Sequence, residues 1–184
     1  KRPNPVNGFY LGSVAADGNG HFVAVGSNKD GSGDKTGYLV WNSGNGRNWA
    51  SATAPNKNGI LHGVAYGSGV FMAVGGSESN SWISSDLGSN WIMSAAASGS
   101  TMNDIAYGDG VFVTEGGSSL GHFNADGSVW IADATASDFV THVSYVNGAF
   151  VAATLDRKIY QSQTGAPVTY TIESIPNQTM TELT

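Results

Sequence analysis

One block of sequence recurs four times, and few folds are open to a chain that repeats itself at this spacing. Val64-Ala65-Tyr66-Gly67-Ser68-Gly69-Val70-Phe71-Met72-Ala73-Val74-Gly75 is matched by Ile105-Ala106-Tyr107-Gly108-Asp109-Gly110-Val111-Phe112-Val113-Thr114-Glu115-Gly116. Looser copies run from Val14 to Gly26 and from Val143 to Ala153. Their anchoring phenylalanines, Phe22, Phe71, Phe112 and Phe150, lie 49, 41 and 38 residues apart. Each copy reads as a hairpin. A short apolar strand meets a Gly-x-Gly or Asn-Gly turn, where φ > 0 is needed, and a second strand follows. That second strand is a nearly continuous apolar run, which suits burial on both faces between stacked sheets.

Periods near 40 residues match a four-stranded propeller blade. The sequence therefore predicts an all-β fold: a β-propeller of four visible four-stranded blades, complete or an incomplete part of a larger propeller. Residues 1–184 form a single domain on this reading, with repeats at about 8–55, 56–98, 99–136 and 137–176. Residues 177–184 form a partial fifth repeat. Thr179-Met180-Thr181-Glu182-Leu183-Thr184 resembles Thr101-Met102-Asn103-Asp104-Ile105-Ala106, the start of the third copy. Either further repeats follow, or this tail closes the ring or pairs with another chain. An open propeller edge then favours self-association.

Composition narrows the function classes. With 26 Gly but also five Trp, seven Tyr and seven Phe, the chain has enough apolar area to fold. The net charge is −6 with only eight Lys and Arg and no basic cluster, which argues against nucleic acid and anionic membranes as partners. No apolar run approaches the roughly 18 residues of a membrane helix. The chain starts at Lys1 rather than Met, so an upstream segment can have been removed. Cysteine is absent, which removes disulfides and thiolate metal sites. Few charges with much Gly, Ser and Asn suit an extracellular or virion-surface protein.

The second half of each copy carries another signature. Ser84-Ser85-Asp86-Leu87-Gly88-Ser89-Asn90-Trp91 spaces Ser, Asp, Gly and Trp so that the carboxylate accepts N–H bonds within its own turn. The Gly supplies φ > 0, and the Trp plugs the hairpin. Asn124-Ala125-Asp126-Gly127-Ser128-Val129-Trp130 is one residue shorter. Asn42 to Trp49 keeps Gly46 and Trp49, with Gly44 in place of the Asp. The fourth copy keeps only Ser162 and Gly165, followed by Tyr170.

These segments resemble the Asp-box (BNR) repeats of sialidase-like β-propellers, over nearly the whole chain. The resemblance speaks for the fold more than for the function, since such repeats occur in glycosidases, lectin-like proteins, sorting receptors and phage tail proteins. A sialidase-like enzyme would also need an arginine cluster, a Tyr–Glu nucleophile pair and an Asp acid. Here Arg2, Arg47 and Arg157 are dispersed, Glu78, Glu115, Glu173 and Glu182 are scattered, and no Arg-Ile-Pro motif follows the start.

Three groups of residues are candidates for a site. His62, Asp104 and His142 fall near the start of the innermost strands, where blades converge, and would line a channel. Trp82, Trp41, Tyr38 and Tyr160 precede the box turns and would stack on a sugar ligand or else pack between blades, with Trp41, Trp82, Phe123 and Gln161 at matching positions. Asp30, Ser32 and Asp34 alternate like the first ligands of a Ca²⁺ loop. However, Lys35 stands where that loop needs Gly and Trp41 where it needs Glu, so a plain Gly-rich loop competes with a metal site, and no other cofactor is expected. The Gly-x-Gly turns lack a following helix and do not signal phosphate. Asn177-Gln178-Thr179 is a sequon, of consequence only in a secreted eukaryotic protein.

The expected function is a non-catalytic binding or structural module that recognises a glycan or a protein surface. The alternatives are a fragment of a sialidase-like glycoside hydrolase and a structural repeat of a viral tail or filament.

Overall fold

A computed structural model describes residues 8–29, 35–53, 59–75, 80–94, 101–117, 119–124, 127, 129–135, 139–162 and 173–175. Among them there is no helix; the strands form four antiparallel four-stranded sheets, each made of four consecutive strands. The first sheet holds β1 (Phe9–Ala16), β2 (Phe22–Lys29), β3 (Lys35–Ser43) and β4 (Ala50–Ser51). The second holds β5 (Leu61–Gly67), β6 (Val70–Gly75), β7 (Asn80–Ser84) and β8 (Ile92–Met93). The third holds β9 (Met102–Gly108), β10 (Val111–Gly116), β11 (Ser119–Phe123) and β12 (Trp130–Thr135). The fourth holds β13 (Val140–Val146), β14 (Ala149–Thr154), β15 (Ile159–Gln161) and β16 (Glu173–Ile175).

The sheets stack in chain order, with β1 against β5, β5 against β9 and β9 against β13. The second, third and fourth repeats each contribute apolar side chains at the same three positions to the layer shared with the sheet before them. They are Leu61, Val64 and Phe71 in the second sheet, Met102, Ile105 and Phe112 in the third, and Val140, Val143 and Phe150 in the fourth. We call this side the leading face. The trailing face of the preceding sheet answers with Val23, Val25 and Val40, then Met72 and Val74, then Val113 and Leu120. Alternation along each strand sends successive residues to opposite faces, so a run such as Phe-Met-Ala-Val feeds two layers at once. Each such side chain contributes about 1.5–3 kcal/mol on burial.

The hairpins follow from their turn residues. Ser68-Gly69, Asp109-Gly110 and Asn147-Gly148 join the first two strands of their sheets, and all six residues have positive φ (47° and 82°, 47° and 81°, 51° and 79°). That is the two-residue turn whose twist matches antiparallel strands. In the second and third copies the first glycine of the Gly-x-Gly behaves differently from the sequence expectation, whereas Gly18 in the first has the expected positive φ of 79°. Gly67 and Gly108 end their strands without positive φ, and what they provide is space. A Cβ on Gly67 would lie 2.1 Å from the ring of Tyr107, and one on Gly108 would lie 2.2 Å from the ring of Tyr145. Each tyrosine thus lies over the glycine of the sheet before it. Tyr107 shares a 2.6 Å hydrogen bond with Ser68, and Tyr145 donates one of 2.6 Å to Asp109.

The box turn of the second sheet is a closed set of local bonds. Asp86 Oδ1 accepts from Ser84 Oγ at 2.7 Å and from the Asn90 amide at 2.9 Å, and Oδ2 accepts from Asn90 Nδ2 at 2.7 Å. Trp91 Nε1 donates to the Gly88 carbonyl at 3.0 Å, and its ring is buried in the first interlayer cluster. In the first sheet the residue standing in for the aspartate is Asn45, not Gly44. Asn45 Oδ1 accepts the amides of Arg47 and Asn48, both at 2.9 Å, and Trp49 donates to the Gly46 carbonyl at 3.2 Å. Pairing of Ser43 with Phe22, like Ser84 with Phe71, sets this register and makes the first turn one residue shorter. Asp126, the fourth box from 163 to 170, and the tail from 176 to 184 lie outside the described residues.

Candidate functional site

Every innermost strand carries a break in register close to its start. The pairing shifts between Leu11 and Ser13 in β1, between Leu61 and Gly63 in β5, between Val140 and His142 in β13, and between Thr114 and Gly116 on the partner of β9. A bulge re-aims side chains and leaves backbone groups free of the ladder, which is why bulges collect at sites. The residues just before Val14, Val64, Ile105 and Val143 occupy one level: Ser13, Gly63, Asp104 and His142. His62 falls one residue earlier and belongs to the level of Asn103 and Thr141. The three expected channel residues therefore divide between two levels.

Asp104 and His142 meet. Asp104 Oδ2 lies 2.5 Å from His142 Nδ1 and accepts the Val143 amide at 3.0 Å, while Oδ1 accepts the Ile105 amide at 2.9 Å. The other ring nitrogen of His142 lies 3.0 Å from Ser144 Oγ. This pair bridges the third and fourth sheets, and the imidazole is mostly open to solvent. It offers an anionic and a donor group side by side on bulged backbone.

Behind it sits a residue that the sequence shows only as one of four scattered acids. Glu115 is fully buried. The Asn103 amide donates to Oε1 at 2.8 Å and Asn103 Nδ2 to Oε2 at 3.3 Å. Burial pushes its carboxyl from the ordinary 4.5 up to about 7, the nearby Asp104 charge adds to the rise, and the Asn103 bonds oppose it. The signal was present in the repeat alignment. Glu115 pairs with Leu120 where Val25 pairs with Val40 and Val74 with Ser81, so an acid occupies a core slot.

The aromatic candidates do not converge. Trp82 and Tyr38 are buried in the layer between the first and second sheets, edge to face at 5.9 Å. Trp41 is half-buried on the leading face of the first sheet, 5.4 Å from Phe9. Tyr160 is half-buried against the third interlayer cluster. Register also revises which residues correspond. Trp41 faces Ala24, Trp82 faces Ala73, Gly121 faces Thr114 and Tyr160 faces Ala152. The match to Trp82 in the third repeat is thus Gly121 rather than Phe123, and in the fourth it is Tyr160 rather than Gln161. Trp130 from the neighbouring strand fills the space that Gly121 leaves, since a Cβ there would lie 2.4 Å from its ring.

Asp30, Ser32 and Asp34 lie outside the described residues. Among the described residues no three His, Asp or Glu side chains gather as metal ligands, and no helix is long and apolar enough to cross a membrane.

No family model matches the chain, and no curated protein matches it either. Solved structures do. The chain is similar to that of YCF48 bound to D1 peptide, with a TM-score of 0.69 at 13% identity, over 92% of this chain and 56% of that one. It spans little more than half the length of that relative. It is also similar to the computationally designed Ika4 protein, with a TM-score of 0.59 at 10% identity, over 85% of this chain and 92% of that one. At such identities the likeness is one of fold, and the fold is that of repeated β-propeller blades.

Proposed function

We propose that this chain is a non-catalytic β-propeller module that recognises a segment of another protein at the bulged ends of its innermost strands. The observation that carries the reading is the fold likeness to a propeller structure that holds a bound peptide. The Asp104–His142 pair supplies matching chemistry. A carboxylate already holding two backbone amides and an open imidazole beside Ser144 are suited to the N–H and C=O groups and basic side chains of an extended peptide. The module would belong to an extracellular or virion-surface protein, in keeping with its low charge and high Gly content.

The test is selection from a random peptide library on the immobilised chain, followed by calorimetry of the enriched peptides. Micromolar binding that weakens at least tenfold in His142→Ala supports the site. Peptides that bind the variant equally well place recognition elsewhere. A glycan array run in parallel decides the competing ligand class. Glycan signal without peptide enrichment overturns the reading.

A further inference from the structure

The leading face of the first sheet repeats the pattern that the other three sheets bury, and among the described residues nothing packs on it in the same way. Pairing fixes the correspondence. Leu11 sits opposite Gly26 as Leu61 does opposite Gly75, and Val14 sits opposite Ala24 as Val64 does opposite Ala73. Leu61 and Val64 are buried, as are their counterparts in the third and fourth sheets. Leu11 is 48% exposed and Val14 61%. Phe22 and Trp41 complete the surface where Phe71 and Trp82 fill a core.

The trailing face of the fourth sheet is open in the complementary way. Ile159 pairs with Ala153 as Val40 pairs with Val25, yet Val40 is buried and Ile159 is 45% exposed. β1 and β13 do not pack on each other as the three successive innermost pairs do. One chain therefore presents both halves of a blade junction, at opposite ends.

The corner residues also fit each other. At the second and third junctions a glycine, Gly67 or Gly108, receives the tyrosine ring of the next sheet. The fourth sheet has Val146 at that glycine position, 52% exposed, where a ring would collide. The first sheet has Ala16 at the tyrosine position, opposite Phe22 as Tyr66 is opposite Phe71. The larger residue on one terminal face is matched by the smaller on the other, as packing at constant volume requires.

We propose that the leading face of the first sheet docks on the trailing face of the fourth sheet in a second copy of this chain. The contact is made twice, so that two chains close an eight-sheet ring. Eight blades lie within the usual range for propellers, and closure removes both open faces. The proposal stands apart from the peptide reading, because neither Asp104 nor His142 takes part in it.

Analytical ultracentrifugation of the full chain at micromolar concentration tests it. The expected mass is twice the 19.0 kDa of one chain. A single-chain mass overturns the proposal. A mass that climbs with concentration overturns the closed ring. Leu11→Lys and Ile159→Glu, both on exposed positions, separate the two faces. Each alone gives a monomer with unchanged far-ultraviolet circular dichroism. An equimolar mixture restores the dimer, because one junction then pairs Lys with Glu while the other keeps both native residues. If Ile159→Glu stays dimeric while Leu11→Lys does not, the leading faces pair with each other and the head-to-tail arrangement is wrong.

Discussion

Glu115→Gln isolates the consequence of burying an acid between two sheets. The folded chain holds the Glu115 proton until about pH 7, whereas an unfolded glutamate releases it near 4.5. Between those values the folded state binds the extra proton, so stability falls as pH rises from about 4.5 to 7 and is level beyond. The gap of roughly 2.5 in pKa, at 1.36 kcal/mol for each tenfold in proton affinity, amounts to about 3 kcal/mol. Glutamine keeps an oxygen for the Asn103 amide and carries no charge at any pH. The variant should match the native chain near pH 4.5 and exceed it by about 3 kcal/mol at pH 8.5. Urea unfolding followed by tryptophan fluorescence reads this directly. With a slope near 2 kcal/mol/M, the midpoints should separate by about 1.5 M at the higher pH. The two proteins share every other titratable group, so those contributions cancel in the difference. A midpoint difference that does not change between pH 4.5 and 8.5 would refute the reasoning, since it would mean that the carboxylate ionises in the folded chain at no cost.

Gly67→Ala drives a methyl group into the Tyr107 ring and should lower stability by about 1–3 kcal/mol, read as an earlier thermal midpoint. Trp82→Ala, removing a buried ring between the first two sheets, should cost about 3–5 kcal/mol in chemical denaturation. Asp86→Ala leaves the Asn90 amide and the Ser84 hydroxyl without their acceptor and should cost about 1–2 kcal/mol. Bonds from Asn90 first, then Ser84, hold the Asp86 carboxyl at about 2, so its contribution is present above pH 3.8 and disappears as pH falls through about 2. The gap between native chain and variant should narrow over that acid range.

Much of the architecture was legible because it is written locally. Hairpin turns need residues that tolerate positive φ, and Ser68-Gly69, Asp109-Gly110 and Asn147-Gly148 announce themselves. The Asp86 turn closes on atoms within eight residues of chain. Where a reading depended on register, the sequence was less exact. A shift of one residue reverses every face of a strand, and that separates Gly44 from Asn45 and Gln161 from Tyr160, while Phe123 lies two places from Gly121, the true counterpart of Trp82. The candidate site was legible only as separate residues. Asp104 and His142 are 38 positions apart, and only the stacking of β9 on β13 brings them within 2.5 Å.

The sequence by itself determined that this protein is a set of β hairpins repeated at blade spacing, since turn chemistry and alternation act over a few residues. The tertiary structure alone decided what each repeated position is for. Val14 and Val64 hold the same place in their repeats, yet one is exposed and the other is core. The difference lies in whether a sheet stands in front, which is a property of the stack and not of the strand.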